Sequence, residues 1–132
     1  MNLTIQKDSL VEDVNKVFTG CYPFLKIELY KKPVVGNHTI KKEALPLNLP
    51  LMLFANLSDK KVIDINIDIN NAVTVAELES QFDLIGLLAE VFRKSGNVWI
   101  ETTLTSSWTL HQQNTEGEEI SKHFEQKKIS FT

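Results

Sequence analysis

Asp64, Asn66 and Asp68 stand at alternate positions and carry the oxygen donors with which a calcium loop opens. Such a loop turns at a glycine in its sixth position and closes on a bidentate glutamate in its twelfth, where this chain has Ile69 and Val75. Side chains two apart on an extended strand lie along one face and cannot wrap around a single ion. The run therefore reads as the wet side of a strand.

Nitrogen and sulfur donors are equally sparse. His38, His111 and His123 show no i, i+3 or i, i+4 pairing, and none shares a helix face with an acid at ligand spacing. The lone cysteine, Cys21, excludes an internal disulfide and a cysteine-based zinc site. No Gly-x-Ser-x-Gly elbow, His-Glu-x-x-His helix or glycine-rich phosphate loop occurs, and the five glycines are scattered as stops and turns. The expectation is no catalytic residue, no cofactor and no metal. An enzyme would need a pocket assembled only by folding, for which Glu101, His111 and Arg93 are the candidates.

Two features suit partner contact instead. The stretch 91–99 holds Arg93, the only arginine, with Lys94 and Trp99. A planar cation and a large ring give much contact for little lost side-chain freedom. Residues 45–57 are rich in leucine and include Leu51 and Phe54, too apolar for a solvated loop. Arg93, Lys94, Trp99, Leu51 and Phe54 are the expected contact residues. The plainer alternative buries Trp99 and the leucines in their own core.

The elements that must position these residues repeat. Leu3, Ile5, Val11, Val14, Phe18 and Ile27 recur 64 positions later as Ile67, Ile69, Val75, Leu78, Phe82 and Val91. Each set spells strand, helix, strand. Strand one holds Leu3 and Ile5, helix one the face Leu10, Val11, Val14, Val17 and Phe18, and strand two Leu25, Ile27 and Leu29. Strand three alternates Ile63, Ile65, Ile67 and Ile69 with polar residues, and strand four runs over 87–94. Ser9 with Glu12, Thr74 with Glu77 and Thr109 with Gln112 have capping-box spacing, which marks three helix starts. Gly20 and Gly117 are expected helix stops. Gly96-Asn97 predicts a tight hairpin in which Lys94 faces Trp99, Arg93 faces Ile100 and Phe92 faces Glu101, with strand five over 98–104.

The expected fold is α+β: a tandem split βαβ, ferredoxin-like, with an added C-terminal hairpin strand and helix. One domain spans 1–132, with βαβ units at 1–32 and 62–94, an apolar insert at 33–61, and the hairpin strand and helix at 95–132. The 14 basic and 17 acidic residues leave a charge of −3, which gives no field for capturing nucleic acid or an anionic membrane. The first ten residues lack a secretory pattern, and the longest apolar stretch falls short of the roughly 20 residues of a span. A cytoplasmic protein is expected, with no membrane partner.

Residues 91–103, Trp108-Thr-Leu-His-Gln-Gln-Asn114 and Gly117, with the segments at 74–79 and 23–28, resemble a family of small bacterial proteins without assigned function. The resemblance implies no catalytic residue. The sequence favours a non-catalytic interaction module that pairs with itself or another protein. The alternative is a nucleic-acid-binding domain of RNA-recognition type, and the acidic wet face of strand three, which offers no ring for base stacking, argues against it.

Overall fold

The computed structural model describes residues 1–32, 42–59 and 61–129, with side chains through Glu125. The chain folds as α+β: β1 (Asn2–Gln6), α1 (Val11–Cys21), β2 (Leu25–Lys31), β3 (Asp64–Asp68), α2 (Val75–Leu84), β4 (Leu87–Ser95), β5 (Val98–Glu101) and α3 (Leu110–Ile129). Strands pair as two antiparallel sheets, β1-β3 and β2-β4-β5. A ferredoxin-like sheet would interleave all four repeat strands. Here β2 pairs with β4 rather than β3, so the repeats meet strand to matching strand.

That pairing has an internal twofold. Leu3 faces Ile67 and Ile27 faces Val91, so in each ladder a residue meets its own counterpart 64 positions on. All six matched pairs are buried in one shared core with Leu45, Leu51 and Leu110. Phe18 and Phe82 are both 0 % exposed. The matching apolar positions thus occupy equivalent places.

The likeness extends past the second strand of each copy. The first turn of a helix has N–H groups without intrahelical partners, and both copies return a segment to satisfy them. Val11 and Glu12 N–H donate to the carbonyls of Leu49 and Leu47 at 3.0 Å each, and Leu51 N–H donates to Ser9 O at 2.9 Å. In the second copy Val75 and Ala76 N–H donate to Trp108 and Ser106 O at 3.1 and 2.9 Å, and Leu110 N–H donates to Val73 O at 2.8 Å. Leu51 and Leu110 then plug the core in turn, each fully buried. A 3-10 turn (Leu51–Leu53) stands where the second copy grows α3.

Helix starts follow side-chain competition. Thr109 caps α3 as expected: its Oγ1 accepts from Gln112 N–H at 3.1 Å and its own N–H donates to Gln112 Oε1 at 2.8 Å. Thr74 Oγ1 likewise accepts from Glu77 N–H at 3.1 Å. Ser9 does not cap α1. Its Oγ accepts from Gln6 N–H at 2.9 Å, while Asp13 reaches back to Leu10 N–H at 3.0 Å and starts the helix one residue later.

Two expected boundaries move. Gly117 does not end α3 but lies inside it, because a Cβ there would sit 3.0 Å from Arg93 Cγ and 3.0 Å from Phe24 Cβ. Close approach of helix to sheet is what the glycine provides. Strand five stops at Glu101, and Thr103–Thr105 form a second 3-10 turn. The hairpin register is as expected in all three pairs, and Gly96 takes φ +68° at the turn.

Candidate functional site

Cross-strand register fixes where the contact candidates point. Arg93, opposite Ile100, lies on the face covered by α3, where its Nη1 donates to Gln113 Oε1 at 2.9 Å and its guanidinium carbon sits 5.5 Å from the Trp108 ring centroid. Gln113, fully buried, turns its amide to Thr105 and donates to both O and Oγ1 at 2.8 Å. The chain's arginine is thus held by its own helix. Sequence reasoning missed Gln113, whose only signal is a polar residue three positions after core residue Leu110 on an amphipathic helix.

Trp99 and Lys94 share the opposite face. Trp99 is 37 % exposed and shares the Lys26 ammonium with Phe92, at 5.2 and 5.3 Å from the two ring centroids. Glu28 and Glu90 face each other directly across β2 and β4, an arrangement that like charges disfavour. Local partners offset it: Glu28 pairs with Lys26 at 3.4 Å and accepts from the Tyr30 hydroxyl, and Glu90 pairs with Lys42. Burial and then Glu28 hold the Tyr30 phenol well above its ordinary range.

Glu79, on α2, stands near this acidic row. Burial first, and then the charge of Glu90, raise its carboxyl above the usual carboxylate range. A carboxyl raised in the folded state favours folding while protonated and opposes it once both states are ionised. Glu79→Gln is therefore expected to stabilise the protein at neutral pH, with the gain fading as pH falls through the carboxylate range. Urea midpoints of both proteins at pH 4 and pH 7 check this, and a gain as large at pH 4 would contradict it.

The leucine segment divides between core and solvent. Leu51 is fully buried, so it serves the interior and offers nothing to a partner. Phe54 is half-buried under the Lys31 ammonium, 5.5 Å from its ring centroid. Leu47, Leu49 and Leu53 are 54, 39 and 67 % exposed. The carbonyls of Leu47 and Leu49 are tied to α1 by the bonds described above, and Leu53 is held in its 3-10 turn by a bond from its N–H to Pro50 O at 3.2 Å, which fixes all three at the surface.

A cleft of about 360 Å³ opens beside this segment, between α1, the outer edge of β2 and residues 44–47. Its lining includes Val11, Asn15, Ile27, Leu29 and Leu45. Asn15 Oδ1 is buried without a hydrogen-bond donor.

The assembled-pocket trio does not converge. Arg93 and Glu101 point to opposite faces of the hairpin, since Glu101 faces Phe92. His111 instead lines a shallow groove along α3 with Trp108, Gln112, Thr115 and Glu116. Among the described residues no group of three or more His, Cys, Asp or Glu side chains is placed to hold a metal ion, and no helix is long and apolar enough to cross a membrane. His38 lies outside the described residues. Compared with known proteins, the chain matches no family model, no curated protein and no solved structure.

Proposed function

We propose that this protein is a non-catalytic interaction module that associates with itself through the leucine segment between β2 and β3. The observation that carries this reading is the outward display of Leu47 and Leu49 on backbone bound to α1, and of Leu53 on the 3-10 turn that follows. Apolar side chains so fixed cannot fold back into the core, and covering them removes apolar surface from water. The lone cysteine fits a reducing, cytoplasmic setting, and the resemblance to small bacterial proteins belongs to the same proposal. The exposed carboxylates of Asp64 and Asp68 on β3 favour this reading over nucleic-acid binding, because they repel phosphate.

Sedimentation over a concentration series tests the reading. The protein is expected to show a reversible dimer, and Leu49→Glu with Leu53→Glu is expected to weaken it at least about tenfold, since fully burying a leucine contributes roughly 1.5–3 kcal/mol. A strict monomer at millimolar concentration would remove self-association.

A further inference from the structure

We propose that the cleft beside β2 docks an extended segment of a partner polypeptide carrying a serine or threonine hydroxyl, which donates to the polar floor of the cleft. This deepens the interaction reading and rests on it.

The internal twofold supplies the argument. In the second copy the chain passes from Ile100, on the edge of β4, to Ser106, at the start of α2, through five residues, Glu101, Thr102, Thr103, Leu104 and Thr105. Those residues close over the strand edge, and the Thr102 hydroxyl donates to Val91 O at 2.8 Å. In the first copy the corresponding passage runs from Leu45, whose N–H donates to Leu29 O at 2.9 Å, to Leu47, bound to Glu12 N–H. It contains Pro46 alone, which has no N–H to offer. Four residues are missing, and the cleft lies where they would run.

The polar groups at that place match the missing donor. Ile27 is the counterpart of Val91, and ladder parity turns its N–H and C=O away from β4. Lys94 N–H donates to Phe24 O at 2.9 Å, so positions 24, 26, 28 and 30 bond across to β4 while 25, 27, 29 and 31 face the outer edge, which residues 43–45 cover only at positions 29 and 31. Leu25 O accepts from the Thr19 hydroxyl at 3.1 Å and Leu29 O accepts from Leu45, whereas Ile27 has no corresponding partner among the described residues. Asn15 Oδ1, a second bare acceptor, lines the same cleft. A hydroxyl is the group the second copy uses to satisfy such a carbonyl, and Val11, Ile27, Leu29 and Leu45 give the rest of the segment an apolar bed. Extended chains recognise strand edges in this way, with backbone bonds for affinity and side-chain pockets for choice.

The test uses the chain's own closing sequence in trans. A capped peptide Glu-Thr-Thr-Leu-Thr, identical to residues 101–105, is titrated into the isotope-labelled full-length protein. Saturable shifts are expected at the Asn15 side-chain amide and the Ile27, Leu29 and Leu45 backbone amides, with a dissociation constant on the order of 0.1–1 mM for so short a segment. Asn15→Leu is expected to weaken binding at least tenfold, and so is a peptide with valine in place of its first threonine, which leaves the protein untouched. No shifts at about ten times that concentration, shifts confined to β5 and α2, or equal binding of the valine peptide would each overturn the proposal. Leu47 lines the cleft, but Leu49 and Leu53, the residues changed to test self-association, do not. A chain that dimerises yet ignores the peptide would therefore sink the cleft and leave the self-association reading standing.

Discussion

Phe82→Ala is expected to cost about 3–5 kcal/mol of folding stability, the range for removing a large ring from a packed interior. The side chain is 0 % exposed and belongs to the shared core. A domain of this size has only about 5–15 kcal/mol in hand, so the variant stands close to unfolding. Leucine substitutions give a graded measurement. Phe18→Leu and Phe82→Leu occupy counterpart positions of the two copies, both fully buried, and their urea midpoints are expected to fall by similar amounts. A loss at one position more than about 2 kcal/mol greater than at the other would show that the two halves do not share the interior evenly.

Gln113→Met keeps the length of the side chain and deletes three hydrogen bonds, two donated to Thr105 and one accepted from Arg93. A neutral hydrogen bond contributes about 1 kcal/mol and one to a charged group about 1.5–3, while the guanidinium left behind has lost its partner. A loss of about 2–4 kcal/mol is expected. Its location matters as much as its size, because Gln113 ties α3 to the turn after β5. Amide hydrogen exchange is expected to quicken first in α3 and residues 103–105, ahead of β1 and β3. Uniform loss of protection with no local opening would mean that the network merely fills volume.

Much of this fold was legible because its signals are local and redundant. The 64-residue spacing showed in apolar residues alone, since both copies bury the same face of each strand and helix. Gly96-Asn97 fixed the hairpin register, because few residues accept the turn's positive φ. Ser9 misled, as Asp13 competes for the same helix start and spacing cannot say which side chain wins. Gly117 misled for the opposite reason: its role is contact with Arg93 and Phe24, residues far away in sequence. The leucine segment hid its kinship with residues 106–110 because the two are matched by backbone hydrogen bonds, while Leu47 and Leu49 correspond to Ser106 and Trp108. In a run of leucines, nothing in composition tells that Leu51 points inward and Leu53 outward. The cleft was invisible for a related reason, as it arises from four residues that one copy has and the other lacks.

The pairing of like strands also governs the order in which structure can form as the chain is made. Leu3 and Ile27 meet their ladder partners only at Ile67 and Val91, so the amino-terminal copy leaves the ribosome with its long-range ladders unmet. At about 5–20 residues per second that wait lasts several seconds, with apolar strands bare. The nascent half thus cannot complete its sheets until its twin emerges.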